Sequence, residues 1–434
     1  MITEAFLQYL WAQRLYTSSS QITVCGEAIE VLNPGQLNTD AGPDFFNAQI
    51  RVGGVTWAGN VEIHLSSDDW YNHGHDSDHA YDNVILHVVG RSTGRAVKNS
   101  RGDTVPEVVL SYSPELLRRY ESLAQGGGLT PIRCAENLPT MPAAVKQAWL
   151  DALFVERMEV KAGRILNFAS MSNGDFDQAF FFAIARALAG HVNAEPMEML
   201  VRSTPLRVLI KHSGVLQSEA LLLGQAGLLS RQGVADDDYV AVLSREYKIL
   251  SAKFGLEPID GSVWKYARMR PQNFPDVRLV QLAAVVRALP GNFSSCLELP
   301  LDSVLAVSPS DYWRTHYRLG VASPERDKRL GEAGRRLILI NAVVPFAFAM
   351  AKRFGNESRQ EAAVDVLRAI KIEQNSVLRQ WAGVGLSARD EAEAQALIHL
   401  MSSYCNLGKC LLCRFGHYCV SRGASPASYA SISK

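Results

Sequence analysis

The side chains of this chain that could carry chemistry are crowded between Asn38 and His87. That stretch holds five of the ten histidines, His64, His73, His75, His79 and His87, together with Asp40, Asp44, Glu62, Asp68, Asp69, Asp76, Asp78 and Asp82. Pro43-Asp44 opens one predicted strand, and Glu62-Ile63-His64 lies on the next. Residues two apart on a strand share a face, so Glu62 and His64 point the same way. If the two strands pair, Asp44, Glu62 and His64 converge on one hard cation such as Mg²⁺ or Mn²⁺. His64 would then orient or deprotonate a water near neutral pH. A plainer reading stands beside this one: Pro-Asp begins many strands, Glu-x-His can face solvent, and the whole segment could be a structural polar network in a scaffold or nucleic-acid-binding protein. His73-Gly74-His75 followed by acidic residues opens a third, a cupin-like site for a transition metal, for which imidazole is a common ligand. On these readings Asp44, Glu62, His73 and His75 are the candidate metal ligands of the segment. His79 and His87 read as structural, His87 because it sits inside the apolar run VILHVV.

Two further motifs lie downstream. Cys405, Cys410, Cys413 and Cys419 are spaced C-x4-C-x2-C-x5-C, close enough for four thiolates to wrap one zinc ion or one [4Fe-4S] cluster. Four protein ligands leave no open position, so the expected role is structural. In WKYARMRPQNFPDVR, Lys265, Arg268, Arg270 and Arg278 alternate with Trp264, Tyr266 and Phe274 around two prolines. Basic groups interleaved with aromatics suit phosphate contact and base stacking on DNA or RNA, and arginines that join helices through carbonyls would look the same.

The elements that must position these groups fall into two kinds. β-Branched and aromatic residues predict strands over Ile22–Leu32, Phe45–Val52, Val55–Leu65, Val84–Val89 and Val105–Leu110, after a first amphipathic helix carrying Phe6, Leu7, Leu10, Trp11 and Leu15. A short helix or ordered loop is expected over 66–83, and Gln125-Gly126-Gly127-Gly128 reads as a linker. From about Pro142 helical spacing dominates, over 180–189, 205–210, 219–229, 239–254, 277–289, 331–351, 361–370 and 389–404. The expected class is therefore α+β: a mixed-sheet domain of αβββαβ type over 1–125, a larger all-α domain over 140–400, and a cysteine tail over 401–434 packed on the helical domain.

Composition limits the function classes. Hydrophobic residues at 47% and charged residues at 20% are ordinary for a folded chain, so disorder is excluded. Lys plus Arg equals Asp plus Glu at 44 each, and no net field draws the molecule to a polyanion; nucleic-acid binding must rest on a local site. The longest apolar run, Leu337 to Met350, contains Asn341 and Pro345 and is shorter than the ~20 residues of a spanning helix, so no membrane partner is expected. The N-terminal helix reads as mature structure rather than a signal peptide, and clustered cysteines suit a reducing compartment, so the expected location is the cytoplasm.

Pro43-Asp44 followed by Glu62-Ile63-His64 resembles the motif of the PD-(D/E)XK nucleases. The resemblance covers roughly the first 115 residues and implies an αβββαβ core, magnesium at the two carboxylates and phosphodiester hydrolysis, with His64 where that superfamily has lysine. Glu4 and Tyr81 become candidate accessory groups. The cysteine spacing is similar to the [4Fe-4S] loop of endonuclease III-type DNA glycosylases, with a shorter first gap, and its closing C-x2-C-x5-C resembles the cluster of some PD-(D/E)XK exonucleases. End to end, the chain resembles a bacterial family known only as a domain of unknown function, on the stretches LNPGQLNTDAGPDFFNAQI, WAGNVEIHLSSDDWYNHGHDSDHAYDNVILHVV, EALLLGQAGLL, RMRPQNFPDVR and YCNLGKCLLCRFG. That resemblance implies no activity.

Overall fold

In the computed structural model the described residues are 2–17, 20–38, 40–126, 131–231, 237–289 and 304–422. The chain divides into two compact units. The first is Met1–Leu153 with Gln374–Ala388 and Ala396–Lys434; the second is Phe154–Glu373 with Arg389–Gln395.

In the first unit, helix α1 (Glu4–Ala12) starts where the Thr3 side chain accepts the Phe6 N–H, and it buries Phe6, Leu7, Leu10 and Trp11 completely. A mixed sheet follows, built from β1 (Ser20–Ile22), β2 (Ala28–Asn33), β3 (Gln36–Leu37), β4 (Phe45–Val52), β5 (Val55–Ser66), β6 (Val84–Arg91) and β9 (Glu107–Val109), in the order β1-β2-β4-β5-β6-β9 with β3 beside β4. Strands β7 (Val97–Lys98) and β8 (Thr104–Val105) form a separate small hairpin. Strands β4 and β5 are antiparallel across Gly53-Gly54, both at positive φ (55° and 84°), the conformation that a two-residue hairpin turn requires. Strands β5, β6 and β9 are parallel, and all of Val84–Val89 is buried, as strands covered on both faces are. The crossover from β5 to β6 carries the short helix α2 (Asp69–Asn72) and the turn His79–Tyr81, over a core of Trp70, Val84, Val97 and Val105.

Helix, strands, short helix and strand thus occur in the predicted order, and the α+β class holds. Two predicted strands are each broken in two. Gly26 at φ 88° turns the chain between β1 and β2, and Pro106, with no N–H to donate, separates β8 from β9. The linker read at Gln125–Gly128 lies partly outside the described residues. Helix α3 (Pro114–Gln125) precedes it, capped by Ser113, and a further long helix, α4 (Ala143–Met171), follows.

The second unit is helical, with Phe176–Ala189, Val215–Gln225 and Pro275–Ala288 almost wholly buried. The stretch Glu332–Arg353 is long and apolar enough to cross a membrane, but a π-helical turn at Leu339–Val343 interrupts it, and Ile338, Ala342, Phe346 and Ala349 are buried in the fold. One expectation is corrected: residues from Ala396 onward belong with the N-terminal unit and not with the helical one. Helix Arg414–Ser421 packs on α3, and the Tyr9 hydroxyl of α1 lies 2.8 Å from His417 Nδ1.

Candidate metal centre

The sheet register builds the site. Glu62 on β5 is paired with His87 on β6, and His87 with Glu107 on β9, so the three side chains form one row across the parallel strands. His64, two residues beyond Glu62, stands on the same face. The remaining histidines come from the end of α2. The Gly74 backbone sits at φ 77°, and the chain closes the helix with the His75 N–H on Trp70 O at 3.0 Å. This left-handed glycine cap folds His73 and His75, on either side of it, back over the sheet.

Three imidazoles and one carboxylate meet there. His64 Nε2 lies 3.1 Å from His73 Nδ1 and 3.4 Å from Glu62 Oε1, and His75 Nε2 lies 3.3 Å from the same oxygen. The donor atoms of His64, His73 and His75 all fall within 4.8 Å of one another. Zn–N and Zn–O bonds of ~2.0–2.2 Å give a tetrahedron with edges of roughly 3.3–3.6 Å, so the spacing suits one ion. His75 Nε2 is buried and has no aligned hydrogen bond, which leaves its lone pair or proton directed into the site. His64 and His75 are buried while His73 is exposed, so the site opens to solvent on the His73 side. Tyr81 stacks on the His75 ring with centroids 3.7 Å apart and limits its tilt.

Behind these groups runs a relay. Ser67 donates to Glu107 Oε1 at 2.8 Å, Glu107 Oε2 lies 3.1 Å from His87 Nδ1, and His87 Nε2 lies 2.9 Å from His64 Nδ1. Burial alone would raise the Glu107 carboxyl, but hydrogen bonds from His87, Ser92 and Ser67 outweigh it and hold the group below its usual range. An ionised Glu107 accepts the proton on His87 Nδ1; His87 Nε2 then accepts the proton on His64 Nδ1. His64 Nε2 is left as a lone pair aimed at the site, the tautomer that a metal ligand needs. Burial, and then the neighbouring His87, His75 and His73, push His64 down to about 2, so it stays neutral.

The acidic groups around the site are held above their usual range, first by burial and then by one another. Asp44 is raised to about 7 by burial and by Glu62, against hydrogen bonds from Gln8 and Ile63 that lower it. Glu4 is raised by burial and by Asp69 and Glu62, with His73 opposing, and Tyr81 is pushed up to about 12 by burial and the nearby Glu62, Asp78 and Asp44. Asp44, the other candidate ligand, lies beside Glu62: its N–H donates to Glu62 Oε2 at 3.0 Å, its Oδ1 accepts from Gln8 Nε2 at 2.9 Å and its Oδ2 from the Ile63 N–H at 3.0 Å. It therefore braces Glu62 from behind. Asn47, at φ 56° in a bulge of β4, gives the local bend beside it. His79 lies apart, bonded to Asp82 and Ser100.

The other predicted groups are placed as follows. Lys265, Arg268 and Arg270 are exposed, whereas Trp264 is buried with its indole on Ala226 O, and Arg278 is committed to Asn273 and Gln281. Cys413 and Cys419 are buried and Cys405 and Cys410 half-buried; burial raises all four thiols, to about 11 for Cys413 and about 12 for Cys405 and Cys419.

A family model described as "Protein of unknown function (DUF2851)" matches residues 4–376. The chain belongs to that family. The matched range contains every residue of the histidine site and ends before Cys405. No curated protein and no solved structure matches the chain. Of the site's members, His87 was read as structural and Glu107 was not singled out at all. Only the β5-β6-β9 register brings them together, and nothing local to Pro106-Glu107 announces it.

Proposed function

We propose that this chain is a metal-dependent phosphodiesterase, a nuclease acting on DNA or RNA, whose ion is held by Glu62, His64, His73 and His75. The observation that carries the reading is the convergence of three imidazoles within 4.8 Å of one another, with Glu62 Oε1 3.3 and 3.4 Å from two of them and the Glu107–His87 relay fixing the His64 tautomer. Hydrolysis of a phosphodiester is supported by the element order α1, strands β1 to β5, α2 and β6 around Pro43-Asp44 and Glu62-Ile63-His64. A bound ion in this ligand set would polarise a phosphate oxygen and bring a water near neutral pKa. Asp44, raised to about 7, is in the range of a proton acceptor at neutral pH. Because imidazole prefers later divalent ions, Mn²⁺ or Zn²⁺ should bind ahead of Mg²⁺.

The ligand set also favours a second reading, a redox site for iron or nickel of cupin-like type. Strands β5, β6 and β9 are parallel, unlike the antiparallel double sheet of that architecture, and the hydrolytic reading is preferred. Calorimetric titration of the full chain with Mn²⁺, Zn²⁺, Mg²⁺, Fe²⁺ and Ni²⁺, followed by cleavage of labelled single and double strands, tests both. Glu62→Gln and His64→Ala should lose cleavage by more than ~100-fold, and Glu107→Gln should weaken the metal by ~10–100-fold, as changes behind a ligand do. A chain that binds none of these ions, or a Glu62→Gln variant that binds them as tightly as the native one, would overturn the site. Tight metal binding with no cleavage of any nucleic acid would overturn the substrate.

A further inference from the structure

A fifth cysteine lies far from the C-terminal four in sequence and beside them in the fold. Cys134 is buried at the head of the turn Ala135–Asn137, its carbonyl accepting from the Asn137 N–H at 2.9 Å. The segment around it is fastened to the cysteine tail at several points. The Arg133 guanidinium stands 3.5 Å from where a Cβ on Gly408 would be, and the Tyr418 hydroxyl donates to Thr140 O at 3.3 Å. Cys419 shares with Glu136 and Asn137 the wall of a cavity of about 370 Å³. The Cys134 thiol has Cys419, Cys413, Cys405 and Cys410 all within electrostatic reach.

Donors in the tail oppose part of the burial that raises its thiols. The Phe415 and Gly416 N–H groups point at the Cys413 sulfur. The Trp149 indole N–H, more than nine-tenths buried, has no hydrogen-bond partner of good geometry and faces that same sulfur. A Cβ on Gly416 would stand 1.9 Å from Cys410 O, so this closure of the loop requires glycine. N–H donors aimed at sulfur stabilise a ligating thiolate and tune a cluster. The spacing separates one ion from several. A single tetrahedral zinc with Zn–S bonds of ~2.3 Å needs sulfurs ~3.8 Å apart. In a cubane each thiolate serves its own iron, so its ligating sulfurs stand farther apart than those around one ion; among the described residues no cysteine trio meets the 4.8 Å that the histidine trio does.

We propose that Cys134 is a ligand of a four-iron, four-sulfide cluster that it shares with thiols of the Cys405–Cys419 segment. The proposal stands independently of the histidine site. Each ligating thiol gives its proton to solvent as the Fe–S bond forms, and two ferric irons, two ferrous irons and four sulfides make up the [4Fe-4S]²⁺ core, so with iron supplied in those proportions no oxidant or reductant is consumed.

The test uses the full chain, reconstituted without oxygen from equal parts of ferrous and ferric iron with sulfide. Native protein should hold about four irons and four sulfides per chain with broad absorbance in the visible. Cys134→Ser should lose more than half of both, whereas Cys25→Ser, an exposed cysteine away from the cage, should hold the native amount. A folded Cys134→Ser variant with its full complement, or native protein holding one zinc and no iron, would overturn the proposal. Should Cys134→Ser not fold, alkylation of the native chain decides. Cys134 should react at least tenfold more slowly with the cluster than after its removal by chelation, with Cys25 as internal standard, and equal rates would refute it.

Discussion

His64 owes its usefulness to two residues that never reach the pocket mouth. Because its Nδ1 proton is held by His87 and His87 by Glu107, His64 can take up a proton only at Nε2, inside the pocket, where burial and the neighbouring imidazoles oppose the charge. This has a sign in stability. His64 is held at about 2 when folded, so below its ordinary value of ~6.5 the unfolded chain binds a proton that the folded chain refuses, and stability falls as the pH falls. Asp44 acts in the opposite sense: raised to about 7, it keeps a proton when folded that the unfolded chain has lost above ~4, so stability falls as the pH rises from 4 to 7. In metal-free protein Asp44→Asn should therefore raise the melting temperature at pH 8 and leave it unchanged below pH 4. A gap of equal size at both pH values in thermal melts would sink the assignment. The residues of the pocket itself were legible in the sequence, since Glu62-x-His64 follows strand alternation and His73-Gly74-His75 is a visible cluster. Asp44 was legible as a member of the site, but its engagement with Gln8 and Ile63 depends on how α1 lies against β5, which no local spacing encodes.

The element that delivers two of the three imidazoles is a single turn of helix ended by one glycine. A Cβ at Gly74 meets nothing nearer than Ser77 Oγ at 3.9 Å, so a substitution there is opposed by the backbone alone, at φ 77°. Gly74→Ala should cost about 1–2 kcal/mol of stability. It should also weaken metal binding by tilting His73 away from His64, while Gly74→Asn, whose side chain tolerates that region, should retain most of both; equal losses in the two variants, by melting and calorimetry, would show that the turn does not position the ligands. At this scale the strand and helix types were well marked by composition and spacing. The exceptions were interruptions: Gly26 and Pro106 split runs that look continuous by side-chain type, because what breaks them is backbone conformation and a missing donor. The long apolar run after Gly331 read as one helix, and the π-helical turn at Leu339–Val343 inside it leaves no compositional trace.

Across the whole molecule, the unit that carries the histidine site is assembled from three separated stretches of chain, with most of the second unit falling between the first and the next. The final stretch touches the site's own framework, since Tyr9 on α1 pairs with His417 and α1 also carries Glu4 and Gln8. A chain ending at residue 373 should therefore lose metal affinity at His64, His73 and His75 by at least tenfold and melt without a cooperative transition for its N-terminal residues; native-like binding and melting in that truncation would show the tail to be dispensable. The discontinuity also imposes an order of events during synthesis. Ribosomes add ~5–20 residues per second, so Cys134 waits roughly 15–60 seconds for Cys419 to be made. Through that interval the face of α3 that the last helix covers, and the pocket around Cys134, are exposed in the nascent chain, which gives chaperones a defined window and leaves the thiols open to oxidation until the last helix arrives.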